Sequence, residues 1–242
     1  DGRAEVAPRL SAGQRLRIVF LASSDRGQTQ LLSQDPANNQ RADELMHFGR
    51  LYAQYERHDG GETTTVTPFV GWDRSSQALV VGQDAANVDS TALRYGLKAQ
   101  HRTRLSVTSV LGFGVDAAGT AAHVERQGSL AVPRREGDPL PFGTPPGSRT
   151  TSDDYRAHVL GVGVFVAIAL QPLPTLRIEP SLRFEPTLLE TTRVRPPVGD
   201  LPDAGSSRVA LAVEPRVAVE QRLSRRARLF GAAGRYHQPP DV

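Results

Sequence analysis

Six histidines, a pair of adjacent aspartates and one glycine-rich run are the residues with chemistry to offer, and each lacks the partners that chemistry needs. The histidines at 47, 58, 101, 123, 158 and 237 have no i, i+4 pairing and no flanking carboxylate pattern, the spacing that lets one helix face hold zinc. They read as ordinary turn and surface histidines. "GVGVFV" (161–166) carries glycines but no helix follows it, so no row of backbone N–H groups is aimed at a phosphate. Asp153 and Asp154 close a long polar stretch, where solvation and a weak Ca2+ contact are both open and solvation is the simpler reading. "GSL", "DDY" and "SSD" put no base beside a nucleophile. The pattern points away from an enzyme, and it implies no cofactor and no metal.

Composition narrows the class. Of 242 residues 38% are hydrophobic, with 22 Gly and 18 Pro, which suits a loop-rich β protein better than a compact helical one. The chain has no Cys, excluding a disulfide scaffold, thiolate metal sites and a cysteine nucleophile. A formal charge of +3 and a pI near 9.7 raise the question of nucleic acid. Yet Lys98 is the single lysine, and arginines such as Arg15, Arg50, Arg94, Arg102 and Arg183 are scattered along the chain rather than clustered with aromatics. Nucleic acid is therefore not an expected partner. The first residue is Asp1 and no apolar leader precedes the first expected strand, so the N-terminus is expected to be processed or cut.

The elements that must carry any site are strands. In "TLRIEPSLRFE" (175–185), Leu176, Ile178, Pro180, Leu182 and Phe184 alternate with Arg177, Glu179, Ser181, Arg183 and Glu185. Residues 207–220 repeat the pattern, with Val209, Leu211, Val213, Pro215, Val217 and Val219 on one face. Looser alternation marks 15–23, 47–56, 64–72, 92–100, 104–116, 155–170 and 227–236, so nine strands are expected, most nine to sixteen residues long. Only 43–57 competes as a helix, because its aromatics at 48, 52 and 55 also fit helical spacing. Strands of this length exceed the five or six residues of an average sandwich and suffice to cross a bilayer at a tilt.

The connections alternate in length. Long polar stretches at 24–46, 73–91, 117–154 and 186–206 take turns with short ones at 57–63, 101–103, 171–175 and 224–227. This is the mark of an up-and-down meander whose two ends face different environments, with short turns on the periplasmic side and long loops outside. The fold class is thus all-β: an antiparallel up-and-down transmembrane β-barrel segment of about nine long strands. A barrel wall turns its apolar face to lipid and its polar face to the lumen. Arg177, Glu179, Arg183, Glu214 and Arg216 are accordingly the candidate lumen-facing residues, and Trp72, Tyr95, Tyr155 and Tyr236, near strand ends, the candidate interfacial aromatics. Prolines at 68, 180 and 215 fall on the apolar faces of otherwise regular strands, where each deletes a ladder donor; bulges or interface positions would accommodate them.

"QRLRIVFLASSD" (14–25), "LRIEPSLRFE" (176–185) and above all "EPRVAVEQRLSRRARLFGAAGRYHQPPD" (214–241) resemble barrel strands of TonB-dependent outer-membrane receptors. There a strand with a Pro-Arg step leads through a short turn and a second strand to a Tyr-x-Gln-x-Pro-like exit, matched in order by Pro215-Arg216, Arg225, Arg226, Tyr236, Gln238 and Pro239. The resemblance implies a bacterial outer-membrane location, outer-membrane lipid as a partner, energy-coupled uptake or handling of exported protein, and a TonB-type coupling protein engaged by a region outside this chain. Other outer-membrane or periplasmic subunits fit the same picture. Residues 1–242 are expected to be part of one barrel domain, with the plug domain and further strands elsewhere. An odd strand count would put the two ends on opposite sides of the membrane. A non-transporting barrel serving as an adhesion or structural scaffold is the second reading, and a soluble polysaccharide-binding β protein the third.

Overall fold

The computed structural model describes residues 1–242 apart from 33, 35–38, 82–83, 130–149, 194–204 and 238–242. Among the described residues every regular element is a strand: β1 (Gly2–Val6), β2 (Arg9–Ser11), β3 (Gln14–Leu31), β4 (Gln40–Asp59), β5 (Glu62–Val81), β6 (Asp84–Arg104), β7 (Ser109–Ser129), β8 (Thr150–Leu173), β9 (Leu176–Thr191), β10 (Ser206–Arg222) and β11 (Arg228–Gly234). They form one antiparallel sheet in the order β1-β3-β4-β5-β6-β7-β8-β9-β10-β11, with β2 also paired to β3. The sheet is open, because β1 and β11 are joined on one side only among the described residues.

All nine expected strands are present, and 43–57 lies wholly within β4 as a strand. β1 and β2 are additional. They run consecutively down β3, from Gly2 opposite Ala22 to Ser11 opposite Gln14, keeping one register past Pro8, whose carbonyl accepts from Leu16 N, and shifting between Arg9 and Ser11. Together they make one broken pass, too short on either side of Pro8 for its alternation to be read. Counting them as one gives ten passes, so Gly2 and Gly234 both lie toward the long-connection end, contrary to the expectation from an odd count.

The strands are also taller than expected. β5 and β6 continue through 73–81 and 84–91, leaving only residues 82–83 between them in place of a long loop. Likewise β3, β4, β7, β8 and β9 take residues from the stretches 24–46, 117–154 and 186–206. The turn expected at 101–103 lies instead at 105–108, where Leu105 N and Ser106 N both donate to Ser109 O. Strands β3 to β8 are 18 to 24 residues long, about twice what a bilayer crossing requires. Both faces are polar beyond the apolar band, so period two is invisible there and the ladder alone keeps the strand extended.

Short turns close the other end. Gly13 and Gly60 have φ of 79° and 63°, the left-handed backbone that two-residue hairpins require. The prolines are absorbed without bulges at Pro68 and Pro180. Each opens its ladder locally, between Tyr52–Phe69 and Tyr55–Val66 for the first and between Ala167–Ser181 and Leu170–Ile178 for the second, and pairing resumes in the same register. Pro215 keeps its pairing with β9, while the β11 ladder stops beside it at Arg216–Gly234.

The register carries one phase across the whole sheet. Ile18, Leu51, Val70, Leu97, Ala117, Val162, Pro186 and Leu211 share a face, as do Phe20, Phe113, Val164, Phe184, Val213 and Val219. That face is exposed: Phe20 is 43% accessible, Val164 47% and Leu182 47%. The opposite face holds the larger buried groups, among them Arg126, Asp153, Thr187 and Glu214. The apolar band of the sheet therefore inverts the hydrophobic rule, with exposed Val, Leu and Phe side chains on one face and buried charges such as Arg126, Asp153 and Glu214 on the other.

Candidate functional site

The five polar candidates lie on that sheltered face. Arg177, Glu179 and Arg183 alternate along β9, and the register sets Arg183 opposite Glu214 and Ser181 opposite Arg216 on β10. Along the strands they bind in local ion pairs: Arg177 Nη2 to Glu179 Oε2 at 2.7 Å, Arg183 Nε to Glu185 Oε2 at 2.6 Å, and Arg216 to Glu214. Arg183 also reaches Asp116 on β7, 3.7 Å away, by lying across Gly163 of β8, where any Cβ would collide with its guanidinium. Glu214 is the best sheltered of the five at 2% exposure, and it accepts the backbone N–H of His237 at 2.8 Å. Glu214 thereby ties the β10 wall to the chain emerging from β11.

The polar network extends to residues that alternation in 175–185 and 207–220 does not reach. Asp73 of β5 bridges Arg50 of β4 at 2.5 Å and Arg94 of β6 at 2.6 Å. Asp153, almost fully buried, holds Arg193 at 2.7 Å. The aspartate pair is split by the pleat, since Asp153 faces inward and Asp154 lies on the other face beside His123, Oδ1 to Nε2 2.6 Å. With Glu125, these two form a group whose ligand atoms all lie within 4.8 Å of one another. It is the nearest approach to a metal site among the described residues. It spans a hairpin, which is why the linear sequence does not reveal it.

The aromatic candidates divide between the faces. Trp72 and Tyr95 lie on the apolar face, each against a glycine: Trp72 over Gly49 and Tyr95 over Gly119. The Tyr95 hydroxyl lies 2.6 Å from His158 Nε2, and His158 Nδ1 is 3.8 Å from Glu190. Tyr155 has the opposite phase, alternating with Ala157 on the polar side. Tyr236 follows β11 with the guanidinium of Arg216 4.5 Å above its ring, so it too is drawn to the polar wall. The exit through Gln238, Pro239 and Pro240 lies outside the described residues, as do Pro133, Pro139, Pro141, Pro145 and Pro146.

The apolar face changes character at one level. Trp72, Leu93, Ala121 and His158 form a cross-strand row, and the next row toward the long connections is Arg74, Thr91, His123 and Arg156. Between the two rows runs a cleft of about 980 Å³, floored by the small Thr91 and Ala121.

The sequence matches no protein-family profile and no curated protein. Solved structures do match, over 95% of the chain: the ferric yersiniabactin uptake receptor FyuA from Yersinia pestis (TM-score 0.62, 10% identity) and the siderophore receptor PiuA from Acinetobacter baumannii (0.60, 11%). The ferric citrate transporter FecA is similar at TM-score 0.56 and 12% identity over the same share. The likeness is one of fold. It makes the chain similar to part of an outer-membrane receptor barrel. The chain spans 40–43% of those proteins' length. All three are named as receptors or transporters rather than enzymes.

Proposed function

We propose that residues 1–242 are part of a single outer-membrane barrel domain whose exposed apolar face contacts lipid and whose charged face lines a lumen used for energy-coupled uptake. The observation that carries this is the inverted sheet: a continuous exposed apolar face from β3 to β10, backed by a paired ionic wall, in a fold similar to that of siderophore and ferric citrate receptors. Arg177, Glu179, Arg183, Glu214 and Arg216 belong to the lumen wall. Their charges are mutually paired, which permits a water-filled interior without isolated ions facing hydrocarbon. Trp72 and Tyr95 take the interfacial role, while Tyr155 and Tyr236 serve the wall. The long connections beyond the tall strands capture ligand, and a TonB-type partner engages a region outside residues 1–242.

Uptake of radiolabelled ferric citrate and ferric siderophores by iron-limited cells tests this. Deleting the protein, or collapsing the proton gradient, is expected to abolish uptake of at least one chelate. Outer-membrane fractionation without any change in uptake would contradict transport and favour the scaffold. A chain that stays monodisperse without detergent would contradict the barrel and favour a soluble β protein.

A further inference from the structure

The cleft above Trp72 includes none of the five lumen-wall candidates, and it reaches the β9–β10 connection at Thr192 and Gly205. Of the strand residues that line it, Trp72, Arg74, Leu93, His123, Arg156 and His158 point to the apolar side of the sheet while Asp73, Ala92, Ala122 and Ala157 have the other phase, and it begins where the apolar belt ends. Of its acidic neighbours, Asp154 and Glu125 face His123 at 2.6 and 3.8 Å, Glu190 faces His158 at 3.8 Å, and Asp73 points to the other face between Arg50 and Arg94. The guanidiniums of Arg74 and Arg156, at either end of the upper row, have no ion pair and no hydrogen bond among the described residues. Two exposed guanidiniums without a protein partner among the described residues on one side of a cleft, and an indole and a leucine on the other, form an amphiphilic site, with basic groups above and an apolar surface below.

We propose that this cleft binds the phosphorylated headgroup of a membrane lipid, with Arg74 and Arg156 on phosphate oxygens and the lipid's apolar part against Trp72 and Leu93. Guanidinium geometry suits bidentate phosphate contacts, and a volume of about 980 Å³ accommodates a headgroup rather than an isolated ion. Thr91 and Ala121 are small enough to leave the space that the headgroup fills. The inference rests on the proposed lipid-facing reading of the apolar face, because only then is phosphate held at this height.

The test is native mass spectrometry of the protein extracted in mild detergent and titrated with phosphatidic acid, in parallel with inorganic phosphate. Wild type is expected to retain the lipid, and the double variant Arg74→Ala/Arg156→Ala to retain about tenfold less or lower still. Arg208→Ala removes an arginine from the opposite face and is expected to change nothing. Arg74→Lys/Arg156→Lys keeps the charge and is expected to bind between the two, which guards against a folding defect in the alanine pair. Equal retention by wild type and the alanine pair would overturn the site. Displacement of the lipid by millimolar inorganic phosphate would overturn the headgroup assignment, leaving a free-anion site. A wild-type protein that fails to float with membranes overturns this inference and the lipid-facing reading together. Flotation with undiminished lipid in the alanine pair overturns this inference alone.

Discussion

On β9, Leu182 and Phe184 stand 47% and 43% exposed, while Arg183 between them is ion-paired across Gly163 and Glu185 beside it is sheltered. In a water-soluble sheet those positions would be exchanged. One strand therefore carries two faces of opposite character, and the pleat that separates them is a single residue wide. The same comparison runs through β8 and β10, where Val164 and Val166 or Val213 and Val217 are exposed, and Ala157 and Glu214 are buried. What differs between the faces is whether burial or exposure is the stabilising state.

The largest effect is expected from a charge on the apolar side. Val164→Arg should cost about 2–4 kcal/mol in a lipid bilayer, read from urea unfolding in vesicles, whereas Ala118→Arg on the polar face, exposed and near Glu185, should fold with wild-type stability. Equal losses at both sites would erase the distinction. Gly163→Val, which pushes on the guanidinium of Arg183, should cost about 1–3 kcal/mol by overpacking and loosen its contact with Asp116, both visible by urea titration and by hydrogen exchange in β8. Glu214→Ala strands Arg216 and the part-buried N–H of His237 and should cost a similar or smaller amount, about 1–3 kcal/mol, with Glu214→Gln recovering part of it. The smallest effect belongs to Arg177→Ala. Its side chain is half exposed and its pair with Glu179 is a surface one, so unfolding should shift by less than about 0.5 kcal/mol.

The banded portions of the strands are legible in the sequence because there one face is apolar and the other is not. Strands β9 and β10 show this over most of their length, and their charged candidates fall on one face as alternation requires. Legibility ends where both faces are polar. Asp73, Arg74, Ser75 and Ser76 are polar in both phases, so β5 reads as a loop from 73 onward although it continues to Val81. The ionic bridge at Asp73 is hidden for that reason, and because Arg50 and Arg94 meet it only through cross-strand register. Tyr155 shows the opposite difficulty. In β8 both phases are apolar, with Val159, Phe165 and Ala167 on one face and Leu160, Val162 and Val164 on the other, so the phase is decided by pairing with β7. The His123, Glu125 and Asp154 group is likewise created by register, across 28 residues of intervening chain from Arg126 to Asp153.

Because the chain contains no cysteine, single cysteines can report on each face without a background. Fluorophores placed through Val164→Cys, Val166→Cys, Leu182→Cys and Phe184→Cys should be quenched by spin-labelled lipid, and those placed through Phe165→Cys, Ser181→Cys and Glu185→Cys should be quenched by an aqueous agent instead. Quenching by lipid that alternates with period two along β8 and β9 is the predicted result; uniform quenching, or lipid contact at Phe165, Ser181 and Glu185, would contradict it.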